Sequence, residues 1–307
     1  MSIVFVNTNA TIYFCCQKRV KNILIYRSCD RGEWILNTIS YRRRIIPAEG
    51  DNNIVYIIFG QNITKDKFEP MHIVLLSCLI EELKTNGYRI ILSIKNNDFK
   101  KFVIEDIKVK KYWGGKNIVH IPSPAPSRFN LWRIMEEYKD AYAINVCEYF
   151  KRINVSKDLS GFQTTLNELY YNVFDHAEAK GNAFSYISFE KNNISIAVGD
   201  FGKGIARTIR EAHPEYKSDD IALENAIKRG VTSRSKSHNA GLGLYNIVSM
   251  LGKQDYLRII SNKSLGVFIG NTKRFFNLEG QFDGTLIYLK MSIESFPEEE
   301  IIDSFSF

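Results

Sequence analysis

The chain has 307 residues, 24% of them charged and 45% hydrophobic, with 20 Phe, 16 Tyr and 3 Trp. This composition excludes a mainly disordered, collagenous or low-complexity chain, and the length suits two domains of about 100–200 residues each. The 41 Lys and Arg against 34 Asp and Glu leave a net charge of +7, and residues 1–50 hold much of that excess with eight basic and three acidic residues.

Residues 3–6, 10–16 and 22–26 read as short strands between polar and basic residues. The cluster Arg42, Arg43 and Arg44 suits an acidic partner such as nucleic acid, and equally a solvated basic edge. Residues 54–59 (IVYIIF) have the pattern of a buried strand, closed by Gly60. Pro70 opens a helix to about Leu83, with Ile73, Leu76, Ile80 and Leu83 at helical spacing, and Asn86-Gly87 stops it. His72, on that helix and without an adjacent acid, reads as structural. Residues 89–94 (RIILSI) are the next strand, so a small α/β unit is expected here, comparable to a STAS-type regulatory module.

Pro122, Pro124 and Pro126 mark 121–128 as the linker. A helix from about Asn130 to Tyr149 is expected next, then a helix over 162–178 and strands at 183–189 and 193–198. Helices at 219–229 and 242–252 and strands at 257–261 and 284–291 complete the second half, and 298–303 form an acidic tail. The expected division is 1–120, a regulatory or partner-binding domain; 121–149, linker and helix; 150–295, the second domain; and 296–307, the tail. The five cysteines (Cys15, Cys16, Cys29, Cys78 and Cys147) are odd in number and lack CxxC spacing, so they support neither a disulfide framework nor a zinc site. No apolar run nears the ~18 residues of a membrane span, and no signal layout begins the chain, so a cytoplasmic protein with no membrane contact is expected.

Three segments of the second half carry chemistry. Within Asn167 to Ala177, helical spacing places Glu168, Asn172 and His176 on one stripe. A polar surface stripe would look the same. After an apolar strand come Asp200, Gly202, Gly204 and Ile205, where alternate glycines allow close backbone approach to a ligand. A plain turn would also use them. The segment is neither a P-loop nor a dinucleotide fingerprint. Gly241, Leu242, Gly243 and Leu244 then open a helix whose free N–H groups suit phosphate. Before it, residues 230–240 form a small, polar, basic loop that reads as a lid over phosphates or as an ordinary solvated loop.

Together, in this order, the segments resemble the GHKL-type ATP-binding domain, the Bergerat fold of DNA gyrase, histidine kinases, mismatch-repair ATPases and anti-sigma-factor kinases. Residues 167–177 resemble the N-box, 200–205 the D-x-G-x-G-I box and 241–244 the G-x-G-L box, and Gly284-Thr285 resembles the late Gly-Thr before a closing strand. The likeness covers about 150–291. It implies an α+β protein, with a mixed sheet under helices preceded by the smaller α/β domain, and ATP and Mg²⁺ as cofactors.

In that family pattern Asn172 holds Mg²⁺ and Glu168 is the general base. Asp200 accepts from the adenine amino group, with the Gly202 and Gly204 backbone and Ile205 against the base. Gly241, Leu242, Gly243 and Leu244 form the phosphate turn, and Thr285 reaches adenine through a water. Arg234, Lys236 and His238 are lid candidates by their chemistry alone. Asp175 stands where histidine kinases often carry a basic residue, and Asn-x-x-x-His-Ala is closer to the anti-sigma-factor serine kinases. The expected function is an ATPase-type switch that alters contacts with a protein partner through the first domain. A protein serine/threonine or histidine kinase and a non-catalytic ATP-binding module are the alternatives; Glu168 speaks against the last.

Overall fold

The computed structural model describes residues 2–6, 9–14, 54–61, 63–113, 128–153, 156–174, 181–231 and 243–299. The expected strand at 22–26, the Arg42–Arg44 cluster and the linker prolines lie outside the described residues, as does most of the acidic tail.

Strands β1 (Ser2–Val6), β2 (Asn9–Phe14), β3 (Ile54–Phe59) and β4 (Arg89–Ile94) form one sheet in chain order. The β1–β2 pair is antiparallel and the β2–β3 and β3–β4 pairs are parallel. Helix α1 (Pro70–Thr85) makes the β3-to-β4 crossover. It starts at the expected proline, where the missing N–H costs nothing. Glu69 and His72 cap it reciprocally: His72 Nδ1 accepts from the Glu69 amide at 3.0 Å, so this histidine is structural. At the other end Gly87 has φ 85° and permits the reversal into β4. A short helix, α2 (Asn97–Lys101), follows with Asn96 as its cap.

The second sheet has the order β5-β6-β7-β9-β8: β5 (Arg128–Arg133), β6 (Ala183–Glu190), β7 (Asn193–Asp200), β9 (Thr272–Ser292) and β8 (Tyr256–Ile269). Every pair in it is antiparallel, which corrects the expected mixed sheet. Connectivity accounts for two of these pairs: β6–β7 and β8–β9 are joined directly as hairpins, which pair antiparallel. The start of the expected helix at Asn130 is also corrected, because residues 128–133 are strand and α3 begins at Lys139 (Lys139–Ile153). Leu131 and Trp132 are both buried but belong to different cores on opposite faces. A strand buried on both faces loses the alternation that marks strands in sequence.

One face of this sheet is covered by α3, α4 (Ser160–Asn172), α5 (Ile205–Ala212), α6 (Asp219–Ala226) and α7 (Gly243–Ser249). Trp132 stacks on Tyr142 there, with centroids 3.8 Å apart. The other face is covered by α1, whose Val74, Leu75, Cys78 and Leu79 share a core with Phe184, Tyr186, Ala197, Leu286 and Tyr288. Helix α1 is apolar nearly all round, as a helix enclosed by protein must be. Gly199 allows the approach, since a Cβ there would lie 2.7 Å from Val74. A buried ion pair, Arg133 to Glu81 at 2.8 Å, joins β5 to α1. The chain is thus α+β. No helix among the described residues is long and apolar enough to cross a membrane.

Candidate functional site

Helix α4 presents Phe162, Leu166, Leu169 and Val173 to the core at i, i+4 and i+3 spacing. Glu168 and Asn172 lie on the adjoining stripe. That stripe faces the start of α7, because a Cβ on Gly243 would fall 2.7 Å from Glu168 Oε2 and 3.6 Å from Asn172 Oδ1. Gly243 therefore leaves the Glu168 carboxylate where it lies, and any larger residue would push that carboxylate aside.

Asp200 ends β7 and is 3% exposed. Its Oδ1 accepts from the Gly202 amide at 2.8 Å and closes the turn that follows. Register pairs Asp200 with Thr285 on β9. Gly284, at φ 129°, lies against the Asp200 backbone, so a side chain there would collide with the Asp200 carbonyl. This is the physical reason for a glycine immediately before Thr285. Thr285 Oγ1 accepts from the Ile205 amide at 3.2 Å.

Asn172, Asp200, Ile205 and Thr285 meet in one cleft, with Leu169, Val173, Val198 and Ile287 as its apolar walls. Its free volume is only about 10 Å³. Glu168 stands outside this lining, toward Gly243. Leu244 is buried in the core under α7. Gly202 lies in the turn, and Gly204, at φ 87°, caps α5. His176, Asp175, Arg234, Lys236, His238, Gly241 and Leu242 lie outside the described residues.

Ser261 and Asn262 are two site residues that the sequence reading missed. The first amides of α5 have no partner within the helix. Three side chains supply them: Thr285 Oγ1 to Ile205, Ser261 Oγ to Ala206 at 3.2 Å, and Asn262 Oδ1 to Arg207 at 2.9 Å. Asn262 Nδ2 also donates to the Lys203 carbonyl at 3.0 Å, so its amide clamps both sides of Gly204. The available signal was a pair of polar residues inside an apolar strand, at the point where β8 and β9 slip register.

Two observations bear on ATP and Mg²⁺. Asn172 Nδ2 is buried without a hydrogen-bond partner, and the missing side chain at Gly243 lets the Glu168 carboxylate lie against the α7 backbone. An orphaned amide donor at the α4–α7 junction fits an acceptor on a polar ligand. Tyr170 is not a candidate acid or base: it pairs with Ser185 at 3.1 Å, and burial pushes its phenol far above the ordinary range. No protein-family model matches this chain, and no curated protein matches it either.

Proposed function

We propose that this chain binds ATP with Mg²⁺ in the cleft between α4, β7, β9 and α5, and acts as a GHKL-type nucleotide switch. The observation that carries the reading is the meeting of Asn172, Asp200 and Thr285, which are far apart in sequence, in one cleft. In this reading Asp200 accepts from the adenine amino group and Thr285 assists through a water. The backbone at Gly202 and Gly204 lies against the base beside Ile205. Asn172 would hold Mg²⁺, which neutralises charge on the phosphates when bound. Glu168 takes a proton from the attacking water. Gly241, Leu242 and Gly243 offer amides to the phosphates, and Arg234, Lys236 and His238 reach them from the lid. In this reading the cleft, with about 10 Å³ free, must open to admit a nucleotide, and residues 1–120 carry that change to a protein partner.

The test is calorimetry with ATP and GTP in the presence of Mg²⁺. An acceptor-only carboxylate makes no hydrogen bond to the guanine oxo group and faces it with repulsion, worth about 2–4 kcal/mol. ATP is therefore expected to bind at least about 30-fold more tightly. Glu168→Gln should retain ATP affinity and lose phosphate release, because the base acts only in the transition state. Equal affinity for the two nucleotides would overturn the reading. With γ-labelled ATP, label in free phosphate supports the switch, whereas label on protein would indicate a kinase.

A further inference from the structure

The opposite side of α5 carries a second cavity. It has a volume of about 700 Å³ and lies between α5, α6 and the β8–β9 pair. That is the size of a small-molecule site, typically about 300–1,000 Å³. Helix α5 separates the two sites: Ile205, Ala206 and Ile209 face the core, while Arg207, Arg210 and Glu211 face the cavity.

The charges in this wall are arranged for an anion. Arg207, Arg210, Lys217 and Lys263 line it against two carboxylates, Glu211 and Asp219. Both carboxylates are committed within the wall. Glu211 accepts from Arg207 Nε at 3.1 Å through Oε1 and pairs with Lys203 through Oε2 at 2.5 Å. Asp219 takes Arg210 Nη1 at 2.8 Å on one oxygen and the Lys263 amide at 3.0 Å on the other. Held this way, the acids orient the guanidiniums. Among the described residues the two terminal nitrogens of Arg207 and the ammonium of Lys263 have no hydrogen-bond partner, and Lys217 reaches only the Pro214 carbonyl at 3.4 Å. The Tyr216 ring, stacked on His213 with centroids 5.4 Å apart, adds an aromatic wall, and Gln281 a carboxamide.

We propose that this cavity is a binding site for a small phosphorylated ligand carrying at least two negative charges. Guanidinium forks match phosphate oxygens in pairs, and the lysines add point charge. The cations share one concavity with an aromatic ring, which favours a small molecule over a polyanion that would track a basic stripe. Asn262 belongs both to this wall and to the clamp on Gly204, so an occupant touches the residue that holds the neighbouring turn. The proposal stands whether or not the Asp200 cleft takes ATP.

The test is calorimetric titration of the full chain with inorganic pyrophosphate at low salt and without Mg²⁺, comparing wild type with the double variant Lys217→Gln/Lys263→Gln. Both side chains are on the surface and neither substitution touches the core. Saturable binding that weakens at least tenfold in the double variant, with ATP affinity unchanged, is the expected result. No binding to wild type would overturn the site. Binding that the double variant keeps within twofold would place the ion elsewhere. If pyrophosphate fails while an oligouridylate or a poly-Glu peptide binds with the same lysine dependence, the small-ligand class is wrong.

Discussion

Replacing Asn262 tests the clamp on α5 with little else disturbed. The residue is 2% exposed, sits at φ 54°, and makes two hydrogen bonds to backbone groups on either side of Gly204. Asn262→Gly keeps the left-handed backbone accessible but removes the bonds that Asn262 makes to the Lys203 carbonyl and the Arg207 amide. At about 1 kcal/mol for each lost bond to a buried group, the expected loss is about 2 kcal/mol. Asn262→Ala removes the same bonds and keeps a β-carbon in the left-handed region without the polar side chain that lets asparagine tolerate it, so its loss should exceed that of the glycine variant by about 1 kcal/mol. Against a typical total of about 5–15 kcal/mol, both losses are measurable by urea denaturation followed by circular dichroism. Hydrogen exchange gives the local readout: the Arg207 amide should lose protection, while the Ala206 amide, held by Ser261, should lose less. A stability loss under about 0.5 kcal/mol for Asn262→Ala, or unchanged exchange at Arg207, would refute the clamp, since an unmade buried bond cannot be that cheap.

The buried Arg133–Glu81 pair gives a second outcome. Glu81→Ala strands a guanidinium that otherwise donates to Glu81, to the Tyr112 carbonyl and to the Gly181 carbonyl, and should cost about 3–5 kcal/mol in urea. The double variant Glu81→Leu/Arg133→Met should cost less than Glu81→Ala alone; equal or greater cost would contradict the desolvation argument. A fragment beginning at Asn130 strips α1 from the second sheet and leaves Phe184, Tyr186 and Tyr288 in water. It is expected to self-associate on size-exclusion chromatography. A monomeric fragment with full ATP affinity would instead show that residues 1–120 are separable.

Elements marked by a short apolar run or by a local start signal were legible. Residues 54–59 and 89–94 are strands with the expected bounds, and the α1 helix starts at Pro70 as its proline signals. Helix α5 was missed, because its amides are supplied by Ser261, Asn262 and Thr285 from more than fifty residues away, and no local cap announces it. The glycine before Thr285 was visible in the sequence, but the collision that requires it involves the Asp200 carbonyl and was not.

By itself the sequence determined where polar and special backbone positions fall: Glu168 and Asn172 on one helical stripe, Asp200 at a strand end, glycines at the turns. These are local consequences of helical and strand periodicity and of backbone sterics. Only the tertiary structure decided what each position meets. It set Gly199 under Val74 of α1, gave Gly243 to the Glu168 carboxylate, and used Asn262 to hold both sides of Gly204. It also placed the cationic cavity behind α5, whose charges come from 207 to 263 and scatter harmlessly along the chain. Periodicity records how far a residue lies from its neighbours along one element. It carries no record of which distant element the packing of two faces of a sheet will bring against it.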